Sequence, residues 1–325
     1  MLSSVAKLAD KAFVIGFLLP ALLAVYTAIN VFGCPKSFGE HCNVTAGNPF
    51  ENLTYVALVV WFLAVLLLTL NHTAYRMLEG YLPPIAWLTS VQDYHRNQFQ
   101  ALTDERKRLR DARDFSESGK VLRELLAAYP AKPASILPTA FGNRIRAFES
   151  YATTVYGADS IPIWSRLGAV VPAAYQAQIG DARAQVDFFV NVLLLALVIA
   201  CIAIVQLVRE FVKPHVAPVP GDTSHLLIVA AIALAVAVVA YQWAVSRIGA
   251  WGELVKSAFD CYLPALAAQL GYELPDSESK RREFWLDVTR LFLYNDLIRD
   301  GTWTFPKTAP KSAAAAPGTH DGGDD

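Results

Sequence analysis

Four apolar blocks constrain what this chain can fold into more than any other feature. They run over residues 12–32, 53–70, 188–208 and 226–245, and none carries Asp, Glu, Lys, Arg or His in its interior. Each is near the ~20 residues that a helix needs to cross ~30 Å of hydrocarbon. Lipid offers no partner to a backbone N–H or C=O, and a helix pairs its own. The expected fold is therefore all-α, an integral membrane protein with four transmembrane helices in two hairpins and a helical cytoplasmic module. Composition agrees: 54% of residues are hydrophobic and 18% charged, against roughly 25% charged in ordinary globular chains.

Lys7 and Lys11 precede the first block, as they would in a signal peptide, but no small-x-small cleavage pattern comes after it. The block is expected to stay as a helix. Of the 28 Lys and Arg residues, 25 lie in the N-terminus, in 72–186 and from Arg247 onward; only Lys36, Arg209 and Lys213 lie on the other side. The positive-inside rule then puts both termini in the cytoplasm. The expected organisation is a first hairpin over 1–71 with an outer loop at 33–52, and a cytoplasmic helical region over 72–186. A second hairpin over 187–247, cytoplasmic amphipathic helices over 248–303 and a disordered tail over 304–325 complete it. Net charge is −1, so no global field selects nucleic acid.

Within the spans, Gly16, Pro20, Ala24 and Ala28 make a small-residue face that suits close helix contact, and Pro20 should bend its helix. Asn191, Gln206 and Gln242 read as hydrogen-bonding glue between helices. Asp187 reads as the start of the third helix, where an acid suits the positive end. Residues 161–179 are apolar enough to raise a fifth crossing, but Arg166, Pro162 and Pro172 favour a surface or re-entrant helix. In the polar stretches, Gly119 should separate two helices of the middle region. Phe284, Trp285, Val288, Leu291, Phe292, Leu297 and Ile298 mark a last amphipathic helix.

Cys34 and Cys42 could close a disulfide in an oxidising compartment, or stay free. His41 beside them does not complete a zinc pattern, so no metal is expected. Cys201 and Cys261 read as unpaired packing residues. Phosphate-loop, dinucleotide, zinc-protease and serine-hydrolase motifs are missing from the sequence, so no cofactor is expected.

The most distinctive stretch is 137–167, LPTAFGNRIRAFESYATTVYGADSIPIWSRL. Thr139 should cap a helix ending near Glu149, Gly157 should supply a left-handed turn, and Asp159 should cap the next helix. The order Pro138-Thr139, Gly142-Asn143, Arg146-Ala147-x-Glu149-x-Tyr151, Tyr156-Gly157-x-Asp159, Trp164-x-Arg166-Leu167 resembles an uncharacterised family of bacterial multi-pass membrane proteins. A weaker echo is Ala258-Phe259-Asp260-x-Tyr262, with Cys261 and Leu263 departing from the pattern. The resemblance implies membrane class and a place in the bacterial cytoplasmic (inner) membrane, and no activity.

Asn143, Arg144, Arg146, Glu149, Asp159, Trp164, Arg166 and Asp260 form the candidate cluster, either a cytoplasmic pocket or a polar network tying helices together. The first functional reading is a non-enzymatic membrane interaction or scaffold protein, self-association included. A channel or transporter is the alternative, and a membrane-surface enzyme or ligand-binding protein the weaker one. The expected partners are the lipid bilayer and a protein partner or second copy, with no nucleic acid.

Overall fold

The computed structural model describes residues 10–33, 49–212, 220–294 and 305. In chain order its helices are α1 (Lys11–Phe32), α2 (Pro49–Glu79), α3 (Thr89–Asp111), α4 (Phe115–Ala128), α5 (Ala140–Glu149) and α6 (Tyr151–Tyr156). They continue with α7 (Ser160–Leu167), α8 (Ala173–Val212), α9 (Pro220–Gln269) and α10 (Glu278–Tyr294). The regular elements of the described residues are helical throughout, and α1, α2, α8 and α9 are long and apolar enough to cross a membrane. At 1.5 Å per residue α8 runs ~60 Å and α9 ~75 Å, so each extends well past a hydrocarbon layer of ~30 Å. Exposed faces of α2 and α9 carry large apolar side chains, among them Leu58, Phe62, Ile232 and Val238. Water would penalise such a surface, and lipid does not.

The chain divides into two compact units, Met1–Phe148 with Ala173–Val255, and Glu149–Pro172 with Lys256–Asp325.

In the first unit, Phe13, Phe17 and Ala21 of α1 pack on Val60, Ala64 and Leu67 of α2. The small face of α1 meets α8: a Cβ added at Gly16 would lie 3.2 Å from the Asp187 Cβ. On α9 the small residues Ala233, Ala237, Ala240 and Ala244 are all buried. Phe189 of α8 stacks on Trp243 of α9 with centroids 5.8 Å apart. Both small faces are thus used at least partly inside the fold.

α3 and α4 form a hairpin around Phe99, Leu125, Tyr129 and Ile136. Its turn lies at Ala112–Asp114, where Arg113 has φ 59° and the Asp114 carboxylate accepts from the Glu117 N–H at 3.1 Å. Gly119, expected to break the helix, sits inside α4 instead. Asp114 supplies the stronger stop-and-start signal, and a lone glycine costs a helix only about 1 kcal/mol. The expected cap at Thr139 forms: its Oγ accepts from Gly142 N–H at 2.9 Å and donates to the Leu78 carbonyl at 2.7 Å. Gly142 then lies so close to α2 that a Cβ would meet the Glu79 carbonyl oxygen at 2.5 Å.

In the second unit, α6 ends at Gly157 with φ 78°, where an added Cβ would strike the Arg282 carbonyl at 2.7 Å. Arg282 donates to the carbonyls of Thr154 (2.6 Å) and Val155 (3.1 Å), satisfying the last turn of α6. That basic residue acts as a helix cap. The core here contains Phe259, Leu263, Leu266, Phe284, Trp285 and Val288. Residues 161–179 are neither a crossing nor one helix: α7 ends at Leu167, and α8 begins at Ala173 after Pro172.

Leu297, Ile298 and the tail, Phe305 excepted, lie outside the described residues, as do His41, Cys34 and Cys42 with their expected disulfide. Cys201 and Cys261 are unpaired, but both are exposed rather than packed.

Candidate functional site

The eight residues of the sequence cluster are distributed over both units. In the first, Asn143 is fully buried and closes a ring on its own chain: Oδ1 accepts from Leu137 N–H at 2.7 Å and Nδ2 donates to the Leu137 carbonyl at 2.9 Å. Arg144 donates to the Val245 carbonyl of α9 at 3.1 Å. Arg146 lies in the last turn of α5, where its charge suits the helix end.

In the second unit, the Glu149 carbonyl accepts from the Ser160 hydroxyl. Asp159 caps α7 by accepting from Ile161 N–H at 3.0 Å, while its own N–H donates to Thr289 Oγ1 at 3.1 Å. Trp164 packs on Phe259 at 5.8 Å. Arg166 donates to the Pro162 carbonyl at 2.6 Å and its guanidinium lies 3.8 Å over the Phe292 ring. Asp260 Oδ1 accepts from the hydroxyls of Tyr151 (2.9 Å) and Tyr156 (2.7 Å). Burial first, and then that bond to the carboxylate, raise the Tyr156 hydroxyl well above its usual range.

A second constellation, in the helical bundle, escaped the sequence reading. α8 begins at Ala173 rather than at Asp187, so Asp187 stands in mid-helix and 6% exposed, away from any free helix end. Its carboxylate must find side-chain partners. Tyr75 Oη donates to Oδ1 at 2.7 Å and Asn71 Nδ2 at 3.2 Å, both from α2. Arg183 Nε lies 3.8 Å from Oδ2 across one turn of α8, on a side chain that is half exposed. Its guanidinium is 5.7 Å from the centroid of Trp251, whose ring meets Tyr75 edge-on. Removing a donor such as Tyr75 or Asn71 would leave part of a buried carboxylate unsatisfied, at a cost of about 1–3 kcal/mol.

One turn further along α8 is Asn191, fully buried, with Nδ2 2.8 Å from the Gly16 carbonyl of α1. Pro20 explains that contact. It stands four residues after Gly16 and has no N–H to give back to that carbonyl. Instead of a simple bend, α1 carries a π-helical segment over Val14–Leu18 just before the proline. The expectation that Asn191 acts as interhelical glue therefore takes a specific form. Pro20 cannot give that carbonyl an α-helical donor, Gly16 lets the two helices approach closely, and Asn191 supplies a donor from α8.

Two acceptors remain. Among the described residues, Asn71 Oδ1 and Asn191 Oδ1 are buried without a hydrogen-bond partner, each worth about 1–3 kcal/mol of desolvation. Neither amide can be turned to relieve this. Asn71 must present Nδ2 to a carboxylate and Asn191 must present Nδ2 to a carbonyl, and both of those groups only accept. Three i,i+4 pairs, Gly16/Pro20, Asn71/Tyr75 and Asp187/Asn191, could have revealed the site in the sequence. Each lies at one end of an apolar block. Groups of three or more His, Cys, Asp or Glu suited to a metal do not occur among the described residues. No family model, curated protein or solved structure matches the chain.

Proposed function

We propose that the chain is a non-enzymatic multi-pass protein of the bacterial cytoplasmic membrane, with both termini inside, that anchors helical interaction units at the cytoplasmic face. The observation that carries this reading is how the polar groups of the distinctive segment are used. Asn143 braces its own loop, Arg144 holds an α9 carbonyl, Asp159 caps a helix and Asp260 gathers two tyrosines. Each acts on the fold. The contacts of Asn71 and Tyr75 with Asp187, and of Lys11 with Asp181, support the orientation. They join the start of the first apolar block, the end of the second and the start of the third. The 25-to-3 split of basic residues supports placing that side in the cytoplasm. The bacterial setting rests on the family resemblance.

Arg144→Ala and Asp159→Ala test the architectural reading, with thermal unfolding measured in detergent. Each should lower stability by about 1–2 kcal/mol, the size of a lost helix cap or of a hydrogen bond from a charged group. Near-native melting of both variants, with loss of a binding activity instead, would favour a ligand pocket in that segment. A second reading, channel or transporter, is favoured by one observation only: Asp187 is an ionisable group buried among potential spans, a position associated with ion and proton paths.

A further inference from the structure

We propose that Asp187, Asn71 and Asn191 form a binding site for a small monovalent cation such as sodium between α1, α2 and α8. The inference is independent of the anchoring role proposed above. Three oxygens lack a close donor: Asp187 Oδ2, whose nearest cation is Arg183 Nε at 3.8 Å, and the buried Oδ1 atoms of Asn71 and Asn191. The three residues are joined by a short chain of contacts. Asn71 is bonded to Asp187, Asn191 comes one turn of α8 after Asp187, and Gly16 links the two by abutting the Asp187 Cβ and accepting from Asn191.

The orientation of both amides is fixed by their other contacts, so the interior of the site offers acceptors. Acceptors alone suit a water or a cation, and the Asp187 carboxylate among them favours an occupant that carries positive charge and coordinates oxygen. A set of amide carbonyls with one carboxylate suits a hard cation rather than a thiophilic or imidazole-seeking metal. A single carboxylate is few for a divalent ion, whose protein sites draw on several.

Arg183 is the internal competitor. Its side chain is half exposed and reaches Asp187 only at 3.8 Å, with aromatic faces at Tyr75 and Trp251 to hold it when it moves aside. A cation entering beside Asp187 Oδ2 would take the place that Arg183 now approaches. Neutralising Arg183 should therefore tighten the site, an outcome that a purely structural ion pair does not produce.

The test uses the full-length protein in detergent, unfolded thermally while sodium chloride replaces choline chloride at constant ionic strength. A ligand that binds only the folded state raises the melting temperature by mass action, here on the order of 3–6 °C at tenfold the dissociation constant. The wild type should show a rise that becomes linear in the logarithm of sodium concentration, Arg183→Gln should enter that regime at roughly tenfold lower sodium, and Asn191→Leu should lose the response. Wild-type and Arg183→Gln proteins that both unfold cooperatively, at temperatures indifferent to sodium, would overturn the proposal. So would an Asn191→Leu protein that keeps the full sodium response.

Discussion

His95 lies on α3 with Nδ1 3.2 Å from the Tyr129 hydroxyl and the rings 5.9 Å apart, and burial lowers its pKa below the usual 6.5. An imidazole depressed in the folded protein binds fewer protons there than in the unfolded chain. Its stability contribution is complete above pH 6.5 and is lost as pH falls from there through the folded pKa. The α3–α4 hairpin should therefore loosen between neutral and mildly acidic pH. A His95→Gln variant should melt with a flatter pH profile over that window. A nuclear magnetic resonance titration placing the folded His95 midpoint at or above 6.5 would contradict the account. Other single residues were legible for local reasons. Thr139, Gly157 and Asp159 perform the cap or turn that their type and spacing announce. Asp187 was not, because the run of apolar residues starts just after it and hides that the helix had begun at Ala173.

Helices were easiest to place where apolar length decided the matter and hardest where several weak signals competed. The α3–α4 boundary is the clearest miss: Gly119 looked like the break, and Asp114 makes it. Gly119 stands inside α4 with open space, free of neighbours to 4 Å, where a Cβ would sit, and its backbone is not in the left-handed region. Gly119→Ala should therefore stabilise the hairpin by about 0.5–1 kcal/mol, through helix propensity and a less flexible unfolded chain. Chemical denaturation of the two proteins side by side checks this, and a loss of stability would show that the glycine has another role. In α1 the proline was visible, but not its consequence. A bend was expected from Pro20 alone, whereas the π-helical segment and its partner Asn191 depend on another helix distant in sequence.

For the whole molecule, four helices fit to span a membrane follow from the apolar blocks themselves. The division into two units does not, because each draws on segments far apart in the chain. The second combines Glu149–Pro172 with Lys256–Asp325 through contacts such as Trp164 on Phe259 and Asp159 on Thr289. Those pairings have no local signature. In the topology proposed above, the chain crosses the membrane four times, with the N-terminus, the middle region and the C-terminus on the cytoplasmic side. Paired reporter fusions, one active outside the membrane and one inside, test it most directly when placed after Phe32, Leu70, Val208 and Arg247. The expected locations are outside, inside, outside and inside in that order; an outside signal after Leu70, or an inside signal after Phe32, would overturn the topology.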